Sequence, residues 1–243
     1  MAIATPQCWT DVDNVLNAGI DRVLLYGPPG TGKTNAGLRQ GVDPRLGAYR
    51  LICTEDMTTA DVVGMFLPSR EGGFSWLDGA ATKAWQGDGY RGTRLVIDEI
   101  DLASGDVLAQ LLAMTDSPES AEMLHPGTGR VIRPLAGFSV VMTTNMEDPD
   151  ELPAALRDRF PIAINVDAAH PAAVEALPTD LQALAMAMST AETHRRASIR
   201  AFKAFAELRK SMNQEEAARL VFGEEKCEAI NDALRVNATG GSY

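Results

Sequence analysis

The chain has 243 residues, 45% of them hydrophobic, which is enough to bury a sizeable core without covalent staples. Its charge is acidic, with 33 Asp and Glu against 22 Lys and Arg, and the excess is scattered. That argues against a surface built mainly to grip nucleic acid or anionic lipid. Cys8, Cys53 and Cys227 are odd in number and far apart, with neither paired metal-ligand spacing nor a disulfide framework, and His125, His170 and His194 show no ligand spacing, so the cysteines are expected to be reduced thiols.

The N-terminal stretch MAIATPQCWTDVD lacks a basic start followed by an apolar run, and no apolar segment is long enough to span a bilayer. The expected compartment is the cytoplasm, with no membrane partner. Short apolar, β-branched runs then recur between segments of helical character: RVLLY at 22–26, YRLICT at 49–54, RLVID at 94–98, FSVVMTT at 138–144 and PIAINV at 161–166. Near-continuous apolarity predicts strands buried on both faces, and the spacing predicts βαβ units in a parallel sheet.

The predicted fold is therefore α/β over residues 1–166, a parallel five-stranded sheet flanked by helices. Two segments, 68–79 and 125–137, are Gly-rich; each reads as a hairpin at the sheet edge or as a loop, and composition favours the loop. After Val166 the stretch DAAHPAAVEALP reads as a hinge. From Asp180 onward Ala, Leu, Met, Glu and Arg at helical spacing predict a small all-helical domain over 167–243.

The stretch GPPGTGKT at 27–34 fits G-x-x-x-x-G-K-[ST] directly after a predicted strand and before a predicted helix, the context a phosphate-binding loop requires. Gly27, Gly30 and Gly32 permit backbone conformations closed to other residues, so that N–H groups along Gly27, Pro28, Pro29, Gly30, Thr31 and Gly32 can converge on phosphates, the prolines contributing shape only. Lys33 is placed to meet the β and γ phosphates of ATP, and Thr34 to offer its hydroxyl to Mg²⁺. Hydrolysis needs more than a cradle. In RLVIDEID at 94–101, Asp98 at a strand's C-terminal end can hold the Mg²⁺ shell and Glu99 can polarise an attacking water. As an isolated string, DEID reads equally well as a charged strand exit.

The order GPPGTGKT, LVIDEID, VVMTTN at 140–145 and LRDRF at 156–160 resembles AAA+ ATPases. The segment ADVVGMFLPSREGGFSWLDGAATKAW at 60–85 looks like the MoxR-like and dynein-related, helix-2-insert branch. The resemblance covers about residues 20–166 and reaches the helical lid only loosely. It implies that Asn145 is the polar residue called sensor 1, with capping of the following helix as its ordinary alternative. It makes Arg159 the arginine finger acting on the neighbouring subunit's nucleotide, with Arg157 as rival. In RRASIRAFKAF at 195–205, Arg200 matches the lid arginine called sensor 2, against Arg195 and Arg196.

The family also carries an insert in the second helix and a hairpin before sensor 1, facing the ring's pore or substrate side. Met65, Phe66 and Leu67 would be the insert's apolar contacts, and Arg130 and Arg133 would flank the hairpin; Phe66 and Trp76 read equally well as core residues. The sequence departs from the branch pattern at Ala80, where a proline is usual.

The resemblance implies a homo-oligomeric, hexameric ring hydrolysing ATP between subunits, its lid swinging about 167–171. The client is an unknown protein, with a von Willebrand factor A domain protein as the family's common partner. A nucleic-acid motor on the same core is the alternative, disfavoured by the acidic charge. A small-molecule kinase would need a different set of motifs.

Overall fold

The computed structural model describes residues 3–70, 72–191 and 195–239; His194 lies outside them. The chain divides into two compact units, one made of residues 11–27 and 33–165, the other of the described residues up to Thr10, Pro28–Gly32 and those from Val166 onward.

The first unit is built on a five-stranded sheet of β1 (Arg22–Tyr26), β2 (Ala48–Ile52), β5 (Arg94–Asp98), β8 (Ser139–Thr143) and β9 (Ile162–Asn165), in the order β2-β5-β8-β1-β9. Every pairing is parallel. The strands fall where the apolar runs predicted them. β5 is buried along its whole length and β1 and β8 along most of theirs, whereas β2 and β9, at the edges, alternate. That difference is the one expected between central and edge strands of a parallel sheet.

Helix α1 (Gln7–Asn17) precedes β1, and α2 (Lys33–Arg39), α3 (Thr59–Val63), α4 (Ala80–Gln86), α5 (Gly105–Met114) and α6 (Ala154–Arg159) lie in the connections between strands. Trp85, Leu95, Ile97, Leu111, Met114 and Met142 are fully buried in this unit's core, and Trp85 satisfies its indole N–H on Met114 O at 3.1 Å. Two buried arginines are spent on structure. Arg22 donates to Thr115 O at 3.0 Å and stacks over Phe138, and Arg94 donates to the Gly37 and Gln40 carbonyls at the end of α2, a standard way to satisfy orphan C-terminal carbonyls.

Both Gly-rich segments form hairpins rather than the loops that composition favours. β3 (Gly64–Pro68) pairs antiparallel with β4 (Phe74–Asp78), and β6 (Met123–His125) with β7 (Arg130–Ile132). The glycines sit at the turns, Gly72 and Gly73 at φ 87° and 82° and Gly129 at φ 65°, while the flanks supply the strands. The first hairpin interrupts a helical path: it leaves α3 at Gly64 and returns through Gly79, whose N–H donates to Val63 O at 2.9 Å. Ala80 is then the first residue of α4, a position where proline fits equally well because that N–H has no intrahelical acceptor.

Phe66 and Trp76 are not core residues. Phe66 is 52% exposed, and Trp76 is half-buried between it and His125 on the other hairpin, with ring centroids 5.1 and 5.7 Å away. Asp78 Oδ1 ties the hairpins together, accepting from Trp76 Nε1 at 2.6 Å and lying 2.8 Å from His125 Nε2. Arg130 is exposed on β7, and Arg133 pairs with Glu122.

The second unit contains α7 (Pro171–Glu175), α8 (Thr179–Ser189), α9 (Ile199–Leu208), α10 (Gln214–Phe222) and α11 (Glu224–Thr239), packed around Leu181, Phe202, Phe205 and Ile230. Helix α9 begins at Ile199, four residues later than the start of the quoted basic segment, because Ser198 caps it by accepting from Ala201 N at 3.2 Å. Arg195 and Arg196 therefore precede the helix, and Arg200 lies in its first turn.

The stretch expected as a hinge is tied down within this unit. Trp9 Nε1 donates to Ala168 O at 3.0 Å, His170 N donates to Thr31 O at 3.1 Å, and the Trp9 and His170 rings meet edge to face at 4.6 Å. These contacts explain why Pro28–Gly32 groups with helices far away in sequence.

Candidate nucleotide site

Parallel pairing fixes the location of the site. Because all five strands run the same way, their C-terminal ends share one edge, where open α/β sheets bind ligands. Tyr26 there leads into 27–34, Asp98 into Glu99, and Thr143 into Thr144 and Asn145, with Leu25 in register with Thr143 and Ile97 with Met142.

The loop at 27–34 has the backbone its glycines imply: Gly27, Gly30 and Gly32 adopt φ of 116°, 80° and 121°. Thr31 is buried and its hydroxyl donates back to Pro28 O at 3.3 Å; Pro29 is exposed. Lys33, only 5% exposed at the start of α2, donates through Nζ to Gly27 O at 2.7 Å and to Asn145 Oδ1 at 3.3 Å. Thr34 Oγ1 donates to Asp98 Oδ1 at 2.8 Å.

Asp98 is the electrostatic centre. Burial pushes its carboxyl upward, but donation from the Thr143 hydroxyl, the Arg50 guanidinium and the Thr34 hydroxyl prevails, so its pKa lies below the ordinary carboxylate value and it is an anion at neutral pH. Cys53 nearby is the opposite case. Burial, then the charges of Asp101, Asp98 and Glu99, push its thiol up to about 12, leaving it inert.

Glu99 is, among the described residues, the one non-glycine with positive φ, at 58° in the left-handed region. Such strain costs about 1–2 kcal/mol and persists where the surroundings impose it, commonly at functional sites. Here Glu99 N donates to Thr143 Oγ1 at 3.4 Å, and Asn145 Nδ2 donates to Glu99 Oε1 at 3.5 Å. Asn145 therefore bridges Lys33 and Glu99, and the following short helix is capped instead by Asp148, which accepts from Asp150 N at 2.8 Å.

The structure thus brings together Lys33, Thr34, Asp98, Glu99 and Asn145. It does not bring the candidate finger to them. Arg159 ends α6, donates to Ala155 O at 3.1 Å and pairs with Asp116 Oδ2 at 3.3 Å, with its Nε buried and without a hydrogen-bond partner; Arg157 pairs with Asp150 at 2.5 Å. Arg200 is exposed, in the second unit.

Sequence reasoning missed Thr143, whose hydroxyl donates to Asp98, and Thr144, which donates to Asp101 Oδ1 at 2.6 Å; the TT before Asn145 was the available signal. It also missed Arg50, for which an edge-strand arginine gives no signal. For a metal, the Thr34 hydroxyl and Asp98 carboxylate are hard oxygen donors of the kind Mg²⁺ takes when phosphates and water complete its shell. Among the described residues no cluster of three His, Cys, Asp or Glu side chains forms a closed metal cage.

A parallel sheet with a glycine-rich loop after β1, an acid pair at the end of β5 and an Asn just past the end of β8, the strand between them, defines a P-loop nucleoside-triphosphatase fold with a helical lid. Residues 22–160 match the AAA domain family, dynein-related subfamily, and the chain belongs to that family.

Among sequence relatives, uncharacterised proteins of Staphylococcus epidermidis and Staphylococcus aureus are 32% and 33% identical over 151 and 153 residues, 60% of this chain and 55% of theirs. The chain thus spans about half the length of the curated relatives it matches. NtrX from Brucella abortus shares the fold at 14% identity, with a TM-score of 0.59 over 99% of this chain and 64% of that one. A second NtrX structure, in complex with ATP, gives 15% identity and a TM-score of 0.57 over 97% of this chain and 61% of that one. Among the described residues no helix is long and apolar enough to cross a membrane.

Proposed function

We propose that the chain is the ATP-hydrolysing element of a ring-forming AAA+ ATPase of the MoxR-like branch, and that it remodels or activates a partner protein complex. The observation that carries the reading is the convergence of Lys33, Thr34, Asp98, Glu99 and Asn145 at one sheet edge, with Glu99 held in a strained backbone conformation.

In this reading the 27–32 backbone and Lys33 hold the triphosphate of ATP. Thr34 and Asp98 hold Mg²⁺, which supplies charge neutralisation for the phosphates. Glu99 orients and polarises the attacking water, and Asn145, already bonded to both Lys33 and Glu99, keeps that base aligned with the terminal phosphate. Arg159 acts on the nucleotide of the neighbouring copy, and Arg200 contacts phosphate from the lid.

The branch assignment is supported by the two hairpins, one inserted between α3 and α4 and one before β8. Their exposed Phe66, Phe74, Leu124 and Val131 suit contact with a client protein, with a von Willebrand factor A domain protein as companion.

A finger supplied in trans is worth about 10³ to 10⁵ in rate, roughly 4–7 kcal/mol of barrier. The rate per subunit should therefore climb steeply with protein concentration as a hexameric ring assembles; a high rate independent of dilution would contradict the reading. Lys33→Ala should abolish ATP binding. Glu99→Gln should bind ATP and retain it unhydrolysed, as measured by filter binding and phosphate release.

A further inference from the structure

Asp98 is fully subscribed. Its Oδ1 accepts the hydroxyls of Thr34 and Thr143, and its Oδ2 accepts both Nε, at 3.1 Å, and Nη2 of Arg50. Arg50 lies on the edge strand β2, in register with Val96, two residues before Asp98, so its side chain is on the face from which it can reach along β5 to the carboxylate. The two partners differ in surroundings: the Asp98 side chain is 7% exposed and that of Arg50 is 43% exposed. An arginine with that much solvent access can hydrate its charge unaided. It is nonetheless folded onto the carboxylate proposed to face the metal.

A guanidinium and a divalent cation make the same demand on a carboxylate. Each places positive charge against the oxygen lone pairs, and two such charges on one acid repel each other at short range. Building on the proposed role of Asp98, we propose that Arg50 is a resident stand-in for the metal. With the cradle empty it neutralises and orients Asp98, and it swings out to solvent as Mg²⁺-nucleotide enters. Arg50 is thus a positioning residue that sets how much magnesium the site requires. Its half-exposed side chain allows that exchange without opening the core.

The test is magnesium titration of fluorescent ADP binding to wild type, Arg50→Met and Arg50→Lys, with thermal unfolding measured with and without Mg²⁺-ADP. Removing the competitor should lower the magnesium midpoint for Arg50→Met by about three- to tenfold, the range for a partly exposed charge-assisted pair, with Arg50→Lys between. Arg50→Met should lower the melting temperature of the nucleotide-free protein and lose that deficit in saturating Mg²⁺-ADP. An unchanged or higher midpoint, or an equal deficit in both states, would show a permanent structural ion pair and overturn the proposal. A wild-type protein binding no ADP at any magnesium concentration would instead remove the nucleotide-site reading, and this inference with it.

Discussion

Glu99 carries both the chemistry proposed for the site and its one described non-glycine left-handed backbone. Stability and function should therefore separate there. Glycine relieves a strain of about 1–2 kcal/mol while loosening the unfolded chain by somewhat less. Glu99→Gly should accordingly cost no stability and gain up to about 1 kcal/mol in denaturant unfolding, while ATP turnover is lost and binding persists. Gly30 is the converse, since any Cβ there meets the left-handed φ and stands 2.7 Å from the Ser198 Cβ. Gly30→Ala should destabilise by about 2–3 kcal/mol, summing strain and overpacking. Adding Ser198→Gly should recover only the packing part, because glycine is tolerated as a cap but the φ cost remains. Full recovery would show that the backbone contributes nothing.

Among elements, the two hairpins behave as one because Trp76, Asp78 and His125 interlock and Gly127 lies flat against the indole. A Cβ at Gly127 would come within 2.6 Å of Trp76 Cβ and Cγ. Gly127→Ala should push the hairpins apart and shift Trp76 fluorescence to the red, with the sheet unaffected; an unshifted spectrum would mean the hairpins pack independently. In the helical unit, Arg209 bonds Asp180 at 2.5 Å while stacking over Phe205, and this hydrogen bond holds the Asp180 carboxyl below its ordinary value. A depressed folded-state value means stabilisation present above the unfolded pKa of about 4 and lost as pH falls through the folded value. Asp180→Asn should lower stability at neutral pH, and its difference from wild type should vanish with acidification. The hairpins were only half legible in the sequence. Glycines read as loop, whereas the strands lie in flanks such as GMFLP, whose exposed apolar residues resemble core until their surroundings are known.

For the whole molecule, what could be read from the sequence was what is local or buried on both faces. β5 is apolar through Leu95, Val96 and Ile97 because it is covered on both sides, and 27–34 announces itself because its glycines serve a local backbone path. What could not be read is non-local. Nothing in Trp9, Thr31, His170 and Ser198 as letters indicates that the N-terminal segment, the apex of the phosphate loop and the start of α9 belong to one unit, and nothing in Arg50 names Asp98 as its partner. Arg159 belongs to the same scale: within one chain it pairs with Asp116, and its proposed task exists only between copies. The most direct test mixes two inactive proteins, Lys33→Ala, with an intact finger, and Arg159→Ala, with an intact cradle, and measures phosphate release. Turnover should return on mixing, because some seams then pair a working cradle with a working arginine; if the mixture stays as inactive as either component, hydrolysis between copies is contradicted.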